Sequence, residues 1–198
     1  MKRLLPLTLL FLAPTYACYT SAEDSWYAGA LYNMQEVSIR GRDFNTAGVV
    51  AGYQYSQYFS LETRLLTGTS GYSSFYGTRE EPRGNYTEDI DKQASLLLKA
   101  SYPVFSSLNL YVLTGYTYSD YEISGLGQTN DSEGNITGDF PFNITRSESG
   151  ISYGVGLDYQ LNENFRVFID YQALPDFEPG SNVSNSWKST TIGVSYLF

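Results

Sequence analysis

The sequence contains no histidine, a single cysteine, and only twelve lysine and arginine residues against twenty-one acidic ones. Without histidine, the proton-transfer mechanisms that depend on an imidazole are excluded, and a metal site would need oxygen ligands alone. One cysteine excludes an internal disulfide. A formal charge of -9 with no basic patch argues against a nucleic-acid partner. The sequence therefore predicts no cofactor and no metal centre, and we do not expect an enzyme.

Long apolar runs are also scarce. The amino terminus is typical of an export signal, because a basic start is followed by the apolar run Leu4–Leu12 and then by small residues. We expect cleavage after Ala22. The alternative is cleavage after Ala17, which would make Cys18 the first residue and expose it to lipidation. No later apolar run is long enough for a membrane-spanning helix.

The chain is instead rich in tyrosine, phenylalanine and glycine, with 19, 11 and 18 residues respectively. Residues 23–198 read as one domain in which polar and apolar residues alternate, with no helical stretch between the alternating segments. Eight such segments occur. The length of each is close to the span of about 9–11 residues that a tilted strand needs to cross a bilayer. The predicted strands are Ser25–Asn33, Ala47–Ser56, Phe59–Gly68, Gln93–Tyr102, Leu108–Ser119, Ile151–Leu161, Phe165–Ala173 and Ser189–Phe198.

Long and short connections alternate between these strands. Thr69–Lys92 and Asp120–Gly150 are predicted as long loops, whereas Gln57–Tyr58 and Asn162–Asn164 are predicted as tight turns. Four long loops on one side and short turns on the other are typical of transmembrane barrels.

The charges inside the predicted strands all lie on one face. A soluble barrel would carry its charges outside and its apolar residues inside. Here the charge-free face must face lipid, because a basic side chain facing the bilayer midplane would cost about 2–4 kcal/mol. The predicted fold is therefore all-β, an eight-stranded antiparallel up-and-down transmembrane β-barrel. Its predicted lumen salt-bridge network consists of Glu62, Arg64, Lys99, Asp158, Arg166 and Asp170.

Aromatic residues on the charge-free face gather at the strand ends, as in the two interfacial girdles of membrane barrels. The predicted girdles are Trp26, Phe59, Tyr102 and Tyr159 on the short-turn side, and Tyr32, Tyr116, Tyr153 and Tyr171 towards the loops. The chain also ends within its last predicted strand. Because lipid tolerates no open strand edge, we expect this strand to pair with the first and close the barrel.

Several short motifs support this interpretation through their order and spacing. WYAGA (Trp26–Ala30), LKASYP (Leu98–Pro103), GLDY (Gly156–Tyr159), IDYQ (Ile169–Gln172) and GVSYLF (Gly193–Phe198) resemble the OmpA-type outer-membrane barrel and the related OmpX/Ail and opacity-like small barrels. The resemblance implies a Gram-negative host and periplasmic termini. It also implies a signal read by the outer-membrane assembly machinery, formed by Val194, Tyr196 and Phe198.

The resemblance further implies a closed lumen. In that family an inward glutamate on the third strand pairs with an inward lysine, and Glu62 and Lys99 stand at the matching positions. Asp158 and Asp170 match the inward acids of the family.

Two inward positions depart from the family pattern. Leu113 and Phe168 stand where the family has inward arginines, and Arg64 and Arg166 are the available substitutes. The peptidoglycan-binding domain of longer relatives does not follow this barrel, so we do not expect anchoring to the cell wall.

The inward charges have three candidate uses: a structural plug, a narrow ion path, or catalysis by the carboxylate pair Asp158 and Asp170. An eight-stranded barrel is just wide enough to be filled by side chains, and ions in its core should be paired. This physical argument favours the plug.

The loops carry weaker signals. NDSEGN (Asn130–Asn135) loosely resembles a calcium loop but lacks the EF-hand spacing. The segment Gly77–Lys92 is dense in charge and could contact lipopolysaccharide phosphates through Arg79 and Arg83. Four Asn-X-Ser/Thr sequences are read as polar loop composition, at Asn85, Asn135, Asn143 and Asn182.

The sequence therefore predicts a monomeric outer-membrane barrel with structural and surface-interaction roles. Its expected partners are outer-membrane lipid, lipopolysaccharide and a host or cell-surface protein, the last through the loops. The alternative is a narrow, low-conductance, porin-like pore.

Overall fold

The computed structural model describes residues 25–38, 41–77, 82–133, 136–177 and 185–198. The export signal with Cys18, and the loop residues Arg79, Asn135 and Asn182, lie outside the described residues. Within the described ranges, none of the chain forms a helix of the length and apolar character needed to cross a membrane.

The described residues form nine antiparallel strands, most of which alternate buried and exposed side chains. They are β1 Ser25–Val37, β2 Asp43–Gln54, β3 Phe59–Ser70, β4 Tyr72–Gly77, β5 Pro82–Phe105, β6 Leu108–Asn130, β7 Ile136–Gln160, β8 Phe165–Phe177 and β9 Asn185–Leu197.

Eight of these strands close into a ring. Strands β1, β2 and β3 pair in order, β3 pairs with β5, and β5 to β9 pair in order. The last strand then returns to the first, in a register that runs from Tyr27↔Leu197 to Val37↔Trp187. The Phe198 amide also donates to the Trp26 carbonyl at 3.0 Å. The predicted barrel, with its last strand closing on its first, is confirmed.

The loops are shorter than predicted, because several strands continue past the part of the chain that forms the closed ring. The segment Thr69–Lys92 is largely a hairpin, since β4 follows β3 after Gly71 and pairs with the first part of β5. The segment Asp120–Gly150 is likewise largely strand, because β6 and β7 stay paired for most of it. The alternation that makes a strand persists there, and Tyr121 and Ile123 are both buried.

The ladder between β7 and β8 is short. It ends at Tyr153↔Ala173, although both strands continue beyond that pair. The Leu161 amide donates to the Phe165 carbonyl at 2.9 Å, so odd-numbered residues of β8 direct their backbone groups towards β7. The next odd residue after Ala173 is Pro175, which has no amide hydrogen to donate. Pro175 thus explains why the ladder stops at this position.

The outer face of the ring is an apolar belt. Large apolar side chains on every ring strand are exposed there, Val112 among them at 51%. Soluble monomers rarely expose apolar patches of more than a few hundred Å². The belt therefore faces hydrocarbon.

Replacing Val112 with arginine is expected to lower the free energy of unfolding by about 2–4 kcal/mol, since the cation would face hydrocarbon near the middle of the belt. Phe105→Arg is the control, because Phe105 is 69% exposed at the turn end of β5 and the expected loss there is at most about 1 kcal/mol. The measurement is urea unfolding in lipid vesicles. Equal losses at the two positions would contradict a lipid-facing belt.

Candidate functional site

The inner face of the barrel carries the six charged residues singled out from the sequence. All six are buried: Glu62, Arg64, Lys99, Asp158, Arg166 and Asp170. They come from β3, β5, β7 and β8, and strand alternation turns each of them inward. Three acids and three bases balance in charge. They separate into two clusters, one centred on Arg64 and the other on Asp158.

Arg64 is the centre of the first cluster and is only 2% exposed. Its Nε donates to Glu62 Oε1 at 2.6 Å. Its two terminal nitrogens donate to both carboxylate oxygens of Asp170, at 3.2 and 2.7 Å. The guanidinium group thus bridges two acids on β3 and β8 in the forked geometry that makes Arg–carboxylate pairs strong.

Three neutral side chains complete the hydrogen bonding of these acids. The Tyr27 hydroxyl donates to Glu62 Oε2 at 2.8 Å, and the Tyr111 hydroxyl donates to Asp170 Oδ2 at 2.9 Å. Gln172 Nε2 donates to Asp170 Oδ1 at 2.7 Å. Because buried carboxylates are stable only when their acceptors are satisfied, these donors are part of the cluster.

Asp158 is the centre of the second cluster, which lies nearer the short turns. Lys99 Nζ lies 2.8 Å from its Oδ2, and Asn109 Nδ2 donates to its Oδ1 at 2.7 Å. Arg166 Nε lies 3.7 Å from Asp158 Oδ1. Lys99 Nζ also lies 3.9 Å from the centre of the Tyr111 ring, within cation–π range. Tyr111 therefore contacts both clusters.

The pairing differs from the one that the resemblance implies. Glu62 contacts Arg64, and Lys99 contacts Asp158, so the expected Glu62–Lys99 pair is wrong. The physical reason is proximity along β3: Glu62 and Arg64 are two residues apart and therefore share the inner face. With Arg64 in reach of Glu62, the nearest free acid for Lys99 is Asp158.

Sequence reasoning missed Tyr27 and Tyr111 as members of these clusters. Both lie between outward-facing residues of β1 and β6, so strand parity alone would have placed them inside. Their rings are seated on glycines of other strands. A Cβ added to Gly52 would overlap the Tyr27 ring, and one added to Gly156 would overlap the Tyr111 ring. Inward glycines thus make room for inward aromatic side chains.

An apolar layer packs against the charged clusters. It includes Leu31, Val50, Leu66, Leu97, Leu113 and Phe168, together with the rings of Tyr27 and Tyr111. Leu113 and Phe168 are the two positions where the family has inward arginines, and the structure places both in this layer. Phe168 is seated on Gly193, and the Arg64 guanidinium lies 5.6 Å from its ring centre. The sequence reading of the inner face as polar overlooked this layer.

A hydrogen-bonded polar layer and a second apolar layer follow towards the long hairpins. In the polar layer, Gln35 Nε2 donates to Gln93 Oε1 at 3.0 Å, and Gln93 Nε2 donates to Ser119 Oγ at 2.7 Å. The second apolar layer consists of Val37, Phe44, Ile90, Tyr121, Ile123, Leu174 and Trp187. Strand β6 passes through every layer in turn, with Asn109 at one end and Ile123 at the other.

The mouth beyond the second apolar layer carries one more ion pair. Arg42 lies 2.9 Å from the buried Glu88, and the Tyr86 hydroxyl donates to the same carboxylate. Burial, with the hydrogen bond to Glu88, raises the pKa of Tyr86 to about 12. Tyr86 is therefore protonated at neutral pH and serves as a donor.

The buried carboxylates have the geometry of ion pairs. Asp158 and Asp170 each lie within 2.8 Å of a basic nitrogen, and both are buried. Such carboxylates are held as acceptors by their partners. Within the described residues, His, Cys, Asp and Glu do not come together in threes or more as a metal site would require. The acidic and basic side chains of the two clusters neutralise one another and fill the inside of the barrel.

The predicted girdle and assembly residues all face outward. The eight girdle residues are exposed, and so are Val194, Tyr196 and Phe198. The Tyr196 ring lies 5.2 Å from the rings of both Phe165 and Phe198, as an aromatic cluster at the end of β9. Their roles in membrane anchoring and assembly stay predictions.

Asn143 is one of the residues that the sequence analysis assigned to a loop. It lies on β7, not in a loop, and its side chain donates to Glu122 Oε1 at 2.6 Å. Asn85 lies on β5 and is exposed. The segment 130–135 is described only in part.

Comparison with known proteins places the geometry in context. The family model described as an outer membrane protein β-barrel domain matches residues 4–198. One similar structure is that of Ail, the attachment invasion locus protein of Yersinia pestis, in complex with the heparin analogue sucrose octasulfate. Its sequence is 13% identical to this chain, and the match covers 88% of this chain and 97% of Ail, with a TM-score of 0.50. Neisserial surface protein A is 11% identical over 91% of this chain and 100% of that one, with a TM-score of 0.54. No curated protein sequence matches the chain.

Proposed function

Because the chain belongs to the outer membrane protein β-barrel family, and is an integral protein of the bacterial outer membrane, we propose that it is a closed barrel that supports the envelope and presents its long hairpins for recognition at the cell surface. In this proposal the export signal is removed and both termini are periplasmic. The long hairpins are extracellular, and the barrel is a monomer inserted by the assembly machinery through its terminal strand.

The observation that carries the closed barrel is the Arg64 cluster. Arg64 holds two acids from opposite parts of the sequence, and all three side chains are at least 97% buried. A permanent water path would expose these groups. Breaking such a pair leaves an uncompensated buried charge, so the cluster resists opening.

The two apolar layers support the same proposal. A continuous ion path would have to pass both the layer around Phe168 and the layer around Trp187, and each is built from buried side chains. The narrow pore remains the alternative, favoured only by the polar layer around Gln35 and Gln93 that lies between them.

We expect no steady conductance from the refolded barrel in a planar bilayer, and none from Lys99→Ala. The lysine lies in the second cluster, so its removal leaves both the Arg64 cluster and the apolar layers in place. Heat-shifted gel mobility serves as the control that each sample is folded. Discrete openings of the wild type, or openings that appear when Lys99 is removed, would contradict the closed barrel and favour the pore.

The proposed surface role rests on the hairpins β4–β5 and β6–β7, which continue well beyond the apolar belt. Loops and hairpins on a rigid scaffold commonly carry binding. Lipopolysaccharide and a host or cell-surface protein are the proposed partners.

We propose no enzymatic role. The absence of histidine from the whole sequence removes the usual proton-transfer group, and the inward acids are already paired. The check is mass spectrometry of lipid A from a strain that overproduces the barrel. Altered lipid A, seen with the wild type and lost in Asp158→Asn, would contradict the proposal.

A further inference from the structure

The two charged clusters inside the barrel are neutral together but not separately. The Arg64 cluster has one base and two acids, so it carries an excess of one negative charge. The second cluster has two bases, Lys99 and Arg166, around the single acid Asp158, so it carries an excess of one positive charge. Buried charges are stable only when they are paired. The second cluster therefore needs a further negative partner.

Arg166 is the base of this cluster with the fewest contacts. Only 8% of the residue is exposed. Its Nε lies 3.7 Å from Asp158 Oδ1, which is too long for a hydrogen bond, and has no other acceptor among the described residues. Its Nη2 donates one long hydrogen bond, to Gln54 Oε1 at 3.5 Å. Since a guanidinium group has five N–H donors, Arg166 has donors left for a ligand.

A small cavity lies beside this guanidinium group, at the end of the barrel that carries the short turns. Its volume is about 20 Å³, which is room for about one particle of the size of a water molecule. Besides Arg166 and Asp158, neutral polar side chains line it, including Ser60, Ser101 and Asn109. The Asp158 carboxylate is already engaged there, because Asn109 donates to its Oδ1. The serine hydroxyl groups can donate to an anion.

The negative excess of the Arg64 cluster does not reach Arg166 by direct contact. The Tyr27 side chain lies between the two clusters. The guanidinium carbon of Arg166 lies 5.9 Å from the centre of the Tyr27 ring, and the hydroxyl group of the same ring donates to Glu62 at 2.8 Å. Among the described residues, no ion pair joins Arg166 to an acid of the Arg64 cluster.

We propose that the cavity binds one monatomic anion, such as chloride, with Arg166 Nε as its main donor and the hydroxyl groups of Ser60 and Ser101 as further donors. The size of the cavity excludes polyatomic anions such as sulfate, and the positive excess of the cluster favours an anion over a water molecule. The bound anion makes the second cluster neutral. The inference goes beyond the proposed function and does not depend on it, because a closed barrel and a narrow pore would both contain this cluster.

The test measures how the stability of the barrel in lipid vesicles depends on chloride. Sodium chloride replaces sodium gluconate at constant ionic strength, so that charge screening stays equal while an anion too large for the cavity is exchanged for a small one. Urea is the denaturant, because it brings no chloride. A ligand that binds only the folded state stabilises it, so the folding equilibrium constant should rise up to about tenfold for each tenfold rise in chloride.

Two variants of the cluster should change this dependence in opposite directions. Arg166→Gln removes the main donor and the excess charge but leaves Lys99 paired with Asp158, so the chloride dependence should be lost. Asp158→Asn raises the positive excess, so the same dependence should appear at about tenfold lower chloride. Lys92→Gln is the control, since the Lys92 side chain is 65% exposed and does not line the cavity. It should behave as the wild type does.

A wild type whose stability does not change with chloride would overturn the inference and assign the cavity to water. Equal chloride dependence of the wild type and Arg166→Gln would overturn it too, since such an effect belongs to salt in general. If the variants do not fold, wild-type crystals soaked in bromide decide. Anomalous scattering beside Arg166 Nε would support the site, and its absence there would overturn it. None of these results affects the closed barrel, which conductance tests separately.

Discussion

Replacing Arg64 with methionine is expected to lower the free energy of unfolding by about 3–5 kcal/mol. Methionine fills much of the same volume, so the loss comes from the charge. It leaves the carboxylates of Glu62 and Asp170 buried without the base that bridges them at 2.6 and 2.7 Å. Their remaining donors, Tyr27, Tyr111 and Gln172, are neutral and cannot replace the cation. The measurement is urea unfolding of the barrel in lipid vesicles, followed by tryptophan fluorescence.

The matched control removes all three charges. A triple variant with Arg64→Met, Glu62→Gln and Asp170→Asn has no buried charge to leave uncompensated, and replacing a complete buried ion cluster is often close to neutral. We expect it to recover most of the lost stability. If Arg64→Met alone stays within about 1 kcal/mol of the wild type, the acids reach water, and the closed lumen is contradicted.

Replacing Phe168 with alanine is expected to cost about 3–5 kcal/mol. The ring is buried in the apolar layer between β8 and β9, where Gly193 leaves room for it. Neighbouring strands are held in register by the ring closure and cannot move in to fill the space. The lost contacts and the remaining cavity therefore add to each other. The same unfolding measurement applies.

Phe168→Leu is the conservative control and is expected to cost less than about 1.5 kcal/mol, since it keeps most of the volume and the apolar character. If Phe168→Ala also costs so little, water enters the barrel at this level. That result would reject the apolar layer as a seal and reopen the pore alternative. A large cost for alanine and a small one for leucine would support the seal.

The structure agrees with the predictions that depend only on the two-residue period of a β-strand. Alternation of polar and apolar residues identified the eight ring strands and placed the six charged residues on one face, which is the buried one. Closure by the last strand followed from the intolerance of lipid for an open edge. To predict these features, it is enough to know that side chains alternate along a strand and that the barrel is surrounded by lipid.

The prediction from sequence was wrong where a strand passes from the membrane into water. Polar residues between Asp120 and Gly150 suggested a loop, yet β6 and β7 stay paired through most of this segment. Above the membrane both faces of a hairpin can be polar, so composition no longer separates strand from loop. The inward apolar layer was missed for the opposite reason. Leu113 and Phe168 lie on a face that the charges had marked as polar.

The sequence by itself determined which side chains point inward, because strand parity leaves two choices and the apolar belt selects one. Only the tertiary structure decided which inward groups meet. Arg64 pairs with Glu62, its neighbour on β3, and with Asp170, 106 positions along the chain on β8. Such contacts across a barrel depend on the stagger of its strands and on the reach of each side chain, neither of which a single strand encodes.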